Sequence, residues 1–212
     1  MKMNPAKMSA VILAGGKSSR MGRDKLFLPL GGKPLISHVL DTLQGLFAEC
    51  ILVTDRPQSF SGFAVRVTED LIRRPEKNSL AGIHAGLSMA CHDYVLAVAG
   101  DMPFISRDVL LYLCSRGSDE DVVIFRDGPH FQPLCAIYHK NCLPHIEDML
   151  NKGHYKVADF FPSVRVREVD VSSLQSLDPG RISFFNVNAP EDYEKARALI
   201  AGNDNLDEGG KR

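Results

Sequence analysis

The six residues Tyr94-Val95-Leu96-Ala97-Val98-Ala99 present no strongly polar position to either face of an extended chain. Side chains of a strand alternate between its faces, so such a run must be covered on both sides, as in a parallel sheet sandwiched by helices. The shorter run Val11-Ile12-Leu13 has the same character. Short runs rich in β-branched residues at 10–13, 50–53, 65–68, 94–99, 122–125, 134–138, 164–169 and 184–187 read as strands. Helical periods fall between them at 34–46, 80–91, 108–115, 143–151 and 191–200. This alternation predicts a three-layer α/β/α fold, Rossmann-like, around a mostly parallel sheet. Pro34 suits a first helical turn, and Ala189-Pro190-Glu191-Asp192 sets proline and two acids where a helix N-terminus favours them.

The 212 residues suffice for one domain, read as 1–201 with halves of about 10–105 and 106–201. The tail 202–212 (GNDNLDEGGKR) is nearly devoid of apolar residues and reads as disordered. A net charge of −1 provides no global basic field for nucleic acid or an anionic membrane, so anions must be met by local groups. No apolar run is long enough to span a bilayer, and the one before the first glycines is too short for a secretion signal. The expectation is a soluble cytoplasmic protein. The five cysteines form no C-x-x-C pair and the seven histidines no H-x-x-x-H pair, which argues for reduced thiols and against a zinc site.

After the first strand comes Leu13-Ala14-Gly15-Gly16-Lys17-Ser18-Ser19-Arg20-Met21-Gly22-Arg23-Asp24-Lys25. Gly16-Lys17-Ser18 matches the end of a P-loop, but the first glycine of that motif would fall on Val11. The dinucleotide fingerprint fails too, because Gly15 and Gly16 are adjacent. What remains is a strand-end loop with paired glycines and the cations Lys17, Arg20, Arg23 and Lys25. Adjacent glycines let backbone N–H groups turn inward as an anion nest, and Arg20 and Lys25 can neutralise a polyphosphate. A tight turn with an incidental basic surface is the alternative.

Asp101 closes the strand 94–99 through Gly100, at the sheet edge where α/β proteins bind ligands. A carboxylate there suits Mg²⁺, which takes one or two carboxylates plus substrate phosphates. The competing role, capping the helix 108–115, falls better to Ser106.

L-A-G-G-x-x-x-R-M-G-x-x-K followed by Gly32-Lys33-Pro34-Leu35 resembles the signature of the molybdenum cofactor guanylyltransferases, from about Val11 to Ala198. The loop itself is specific for the wider nucleotidyltransferase superfamily rather than for a substrate. The resemblance implies transfer of GMP from GTP to molybdenum-loaded molybdopterin, with Mg²⁺ as cofactor. It makes 10–105 the nucleotide half and 106–201 the acceptor half, and it allows transient contact with other molybdenum cofactor proteins. It implies Leu13, Ala14, Gly15, Gly16, Lys25, Asp70, Leu80, Gly82 and Asp101 as nucleotide-binding residues. Arg20, Lys25 and Asp101 would be catalytic, and Asp101 the metal ligand.

Asp70 and the backbone of Ser79-Leu80-Ala81-Gly82 resemble the family's guanine site, where a carboxylate meets the N1–H and N2–H₂ donors; a solvated turn is the other reading of Asp70. Where many members carry asparagine after the strand 50–53, this chain has Thr54-Asp55-Arg56. Gln132-Pro133-Leu134 and Phe184-Phe185-Asn186-Val187-Asn188-Ala189-Pro190-Glu191-Asp192 resemble the acceptor side, with Gln132, Asn186 and Asn188 as acceptor-binding residues. Asn188 is also placed to lend an oxygen to the metal or merely to cap the helix 191–200. The rivals are the same chemistry with CTP or another phosphorylated acceptor, and a domain that binds nucleotide without turning it over.

Overall fold

Strand β1 (Ser9–Leu13) lies in the interior of the sheet in the computed structural model, which describes residues 2–15, 24–72 and 78–209, with side chains to residue 202. It pairs in parallel with β4 (Glu49–Val53) on one side and β6 (Tyr94–Ala99) on the other. β2 (Pro29–Leu30) and β3 (Lys33–Pro34) form a separate small hairpin, turned by Gly31 and Gly32 at φ +55° and +82°. β5 (Arg66–Thr68) flanks β4, and β8 (His130–His139), β7 (Val122–Asp127) and β9 (Val166–Asp170) extend the sheet beyond β6. The order is β5-β4-β1-β6-β8-β7-β9, with β8 the strand that runs antiparallel to its neighbours. From β1 the chain builds outward through β4 and β5, then returns to lay β6 on the opposite side. The carboxyl ends of β1 and β6 thus flank a topological switch point, where open α/β sheets bind ligands.

Two apolar layers cover the sheet, as the two-faced strands require. Ala10, Ile12, Leu96 and Val98 face one layer, shared with α1 (Leu35–Leu43), α3 (Arg107–Arg116) and α5 (Pro190–Gly209). Val11, Val95 and Ala97 face the other, shared with α2 (Ser79–Met89) and α4 (Leu143–Lys152). All five cysteines are unpaired. Among the described residues, no helix is long and apolar enough to cross a membrane.

Two stretches depart from the sequence reading. Residues 184–187 form no strand: a 3₁₀ turn Ile182–Phe184 leads into an extended segment whose Val187 N–H donates to Asp101 O at 3.0 Å. Phe184 and Phe185 anchor it instead, with ring centroids 5.2 Å from Phe125 and 6.0 Å from Phe104. β-Propensity describes a half-buried pleated surface, and aromatic anchors on a loop satisfy the same composition. Helix α5 also continues past Gly202 to Gly209, into the stretch read as a disordered tail. No proline interrupts 202–209, so a helix already packed through Tyr193, Ala196 and Ile200 can propagate beyond its apolar face.

The approach of α2 to β1 is set by two glycines one turn apart. A Cβ on Gly82 would lie 2.6 Å from Leu13 Cδ2, and one on Gly86 would lie 2.4 Å from Val11 Cγ1. Both are closer than carbon atoms tolerate, so side chains here would lift the helix off the strand. Gly86→Ala is expected to destabilise the fold by about 1–3 kcal/mol in urea unfolding. Gly62→Ala, where nothing lies within 4 Å of the new methyl, should stay within about 0.5 kcal/mol.

Candidate active site

Asp101 follows β6 by two residues, and its position depends on Gly100. The Gly100 N–H donates to Leu13 O at 2.9 Å, and a Cβ on Gly100 would meet that oxygen at 3.2 Å and Ile36 Cδ1 at 2.9 Å. The missing side chain lets the chain leave β6 flush against the end of β1 and deliver the carboxylate to the switch point. Ser106, not Asp101, caps α3, its Oγ accepting from Val109 N–H at 3.2 Å.

Lys25 reaches the same point from a 3₁₀ turn, Lys25–Phe27, capped by the Asp24 carboxylate and anchored by buried Leu26. Its ammonium donates to Asp101 Oδ2 at 2.5 Å and to Asn188 Oδ1 at 2.8 Å. Lys25 and Asp101 are each less than a fifth exposed. Arg56 pairs with Asp24 at 2.8 Å, tying the segment after β4 to the turn that carries Lys25. Three segments distant in sequence thereby converge on one positive charge.

The helix-capping alternative for Asn188 does not hold. Asp192 performs that task by reaching back, Oδ2 accepting from Asn188 N–H at 3.0 Å and Ala189 N–H at 2.9 Å. A residue at the third helical position accepting from the cap's amide is half of a capping box. The Asn188 amide is thus left to face Lys25. Asn186, by contrast, donates its amide to Phe184 O at 2.9 Å and so braces its own loop.

A cleft of about 190 Å³ opens beside Asp101, and Leu13, Gly15, Asp70 and Gly82 also line it. Asp70 Oδ1 lies 3.9 Å from the position a Cβ on Gly82 would take, so its carboxylate stands over the first turns of α2. That helix start is capped by Asn78, whose Oδ1 accepts from Ala81 N–H at 2.9 Å. Ala14 and Leu80 do not line the cleft: their side chains are buried in the core. Ala14 N–H donates to Val53 O, and Ala14 O accepts from the Thr54 hydroxyl at 3.1 Å, so both its backbone groups are engaged. Gly16 and Arg20, with Lys17 and Arg23, lie outside the described residues.

Thr54, Asp55 and Asn78 also line the cleft. Their signal was positional: two follow a central parallel strand and the third precedes the helix of the Ser79-Leu80-Ala81-Gly82 segment. Leu134 enters the cleft because β8 bulges. Between the pairs Ile124–Ala136 and Arg126–Phe131, the single residue Phe125 of β7 faces residues 132–135. Pro133 has no N–H to give a ladder, and the buried Tyr138 hydroxyl donates to Pro133 O at 2.8 Å, holding the bulge. Gln132 sits half-buried on this bulge, outside the lining of the cleft.

The buried thiols offer no nucleophile. Burial pushes Cys50 up to about 11 and Cys114, Cys135 and Cys142 up to about 12, so all stay protonated at neutral pH.

A lysine–carboxylate pair and a cleft at the switch point of a doubly wound sheet, following a glycine loop, define a nucleotidyltransferase. Residues 10–166 match the MobA-like NTP transferase domain. A probable molybdenum cofactor guanylyltransferase from Pelotomaculum thermopropionicum is 40% identical over 90% of this chain and 92% of its own. A second, from Natranaerobius thermophilus, is 37% identical over 91% and 96%. The crystal structure of molybdopterin-guanine dinucleotide biosynthesis protein A from Archaeoglobus fulgidus superposes with a TM-score of 0.80 at 29% identity, covering 92% of this chain and 99% of that one. The chain belongs to the molybdenum cofactor guanylyltransferase family.

The capping geometry separates two neighbouring residues experimentally. Asp192→Ala is expected to lower stability by about 1 kcal/mol in urea unfolding. Asn188→Ala should cost clearly less than Asp192→Ala, because its side chain holds no helix amide.

Proposed function

We propose that this chain transfers GMP from GTP to the phosphate of molybdenum-loaded molybdopterin, releasing pyrophosphate. The observation that carries the proposal is the convergence of Lys25, Asp101 and Asn188 beside the cleft that holds Asp70. Their family membership supplies the choice of substrates.

In this reading Asp70 accepts the N1–H and N2–H₂ donors of guanine, and the cleft that Leu13, Gly15 and Gly82 line admits the ring. The Gly15-Gly16 loop and Arg20 cradle the phosphates. An oxygen of the acceptor's phosphate attacks the α-phosphorus of GTP while the bond to the bridging α–β oxygen breaks and pyrophosphate leaves. Lys25 neutralises the charge that builds on the phosphates during this displacement. Asn188 orients the acceptor's phosphate, with Gln132 and Asn186 shaping the rest of the acceptor side.

The residues present fit Mg²⁺. Among the described residues there is no cluster of three or more His, Cys, Asp or Glu side chains for a metal. Mg²⁺ needs only one or two carboxylates when phosphates complete its shell. Asp101 and Asn188 already direct oxygens at a single cation, the Lys25 ammonium. Asp101 would hold the metal, with Asn188 beside it, and the bound ion would offset charge on the reacting phosphates. A cytoplasmic enzyme of this kind would meet other molybdenum cofactor proteins transiently, to receive its acceptor and hand on its product.

Two variants test the assignment. Asp70→Ala should weaken GTP by about tenfold to a hundredfold in calorimetry, the loss expected of a charged hydrogen bond, with little change for ATP or CTP. Equal losses for all three would place the base elsewhere. Asp101→Asn should leave the fold intact and depress pyrophosphate release by orders of magnitude at any Mg²⁺ concentration. Near-normal turnover would remove Asp101 from the chemistry and favour a domain that only binds nucleotide.

A further inference from the structure

Behind the β8 bulge lies a second cavity, of about 370 Å³, with no lining residue in common with the nucleotide cleft. We propose that it is the subsite for the flat pterin ring system of the acceptor. This rests on the guanylyltransferase reading and specifies where the second substrate sits.

The volume falls within the ~300–1,000 Å³ typical of small-molecule sites. Its walls are flat and apolar: Phe131 and Phe161 meet edge to face with centroids 5.2 Å apart, and Pro133 and Ala158 also line it. His130 and Lys156 supply its polar side, both exposed, with Lys156 Nζ 3.6 Å from Asp159 Oδ1. A planar heterocycle with apolar faces and a hydrogen-bonding edge matches that division, its faces against rings and its edge toward the two polar side chains. The cavity also lies next to the reaction centre. Pro133 lines it while the next residue, Leu134, lines the cleft that contains Asp101, so the bulge at 132–135 forms a wall common to both. Guanine is assigned to the Asp70 cleft, which leaves this cavity for the other ring. An acceptor with a ring at one end and a phosphate at the other can then pass the bulge and present the phosphate to Asn188. Tyr138, through its hydrogen bond to Pro133 O, is the positioning residue of the common wall.

The test fills the cavity with Ala158→Trp and, separately, reverses charge at its rim with Lys156→Glu. Free 6-hydroxymethylpterin is titrated by quenching of its fluorescence, GTP by calorimetry, and transfer is followed with molybdenum-loaded molybdopterin. Ala158→Trp should abolish pterin quenching and raise the KM for acceptor about tenfold or more, equivalent to 1.4 kcal/mol or more. GTP affinity and kcat at saturating acceptor should be unchanged. Should Ala158→Trp melt early, Lys156→Glu on the surface decides, with a raised acceptor KM and the same kcat expected. Unaltered pterin quenching and acceptor KM in a folded variant overturn the subsite while leaving the transferase reading intact. A wild-type protein that quenches pterin but releases no pyrophosphate overturns the transferase reading and, with it, the role of this cavity as an acceptor subsite.

Discussion

A single backbone hydrogen bond, Gly100 N–H to Leu13 O at 2.9 Å, fixes the relation between the two strands on which the site depends. It extends the β1–β6 ladder by one step beyond the pair Leu13–Ala99, at the place where the chain's direction of winding reverses. Glycine suits this position because a side chain would crowd that same carbonyl and Ile36. With the two strand ends locked together, Gly15 leaving β1 and the carboxylate leaving β6 emerge into the same cleft. The fixed separation matters chemically, since a phosphate and the group that offsets its charge must be held within contact distance before reaction begins.

The remainder of the site is hung on that junction by contacts of different kinds. Helix α2 is brought close by the absence of side chains at Gly82 and Gly86, which sets its first turns against Leu13 and under Asp70. The segment ending in Asn188 is fastened by its phenylalanines, by buried Val187, and by the amide of Val187 on Asp101 O. Asp192 satisfies the start of α5 and so leaves the Asn188 side chain for Lys25. Each device is local and modest in energy, but together they orient three polar groups drawn from residues 25, 101 and 188. A site built on strand ends and helix starts inherits the rigidity of the sheet, which a site made of free loops lacks.

Much of this was legible in the sequence because periodicity and residue type act locally. Two-faced apolar runs require a sheet covered on both sides, and the run 94–99 is found with its side chains divided between two apolar layers. Gly15 and Asp101 can be singled out because each follows the end of a strand, where backbone groups are available to a ligand, whereas Asp70 and Gly82 are legible only through their resemblance to the family's guanine site. The segment 184–187 has the composition of a strand and forms none, for an equally physical reason. Its aromatic and β-branched residues bury themselves well in either a strand or an anchored loop, and only the available neighbours distinguish the two.

The sequence by itself determined the layered fold, the polarity of its strands' surroundings and the types of side chain offered at the sheet's carboxyl edge. The tertiary structure alone decided which of those side chains meet. That the Lys25 ammonium joins Asp101 to Asn188, that Asp192 and not Asn188 caps α5, and that Ala14 and Leu80 belong to the core are results of packing between distant segments. So is the bulge that turns Leu134 toward one cavity and Pro133 toward another. Periodicity specifies which face of an element is apolar, whereas contact between elements depends on how closely their backbones can approach. That approach is set by side-chain volumes on both partners at once, and no single stretch of sequence contains both.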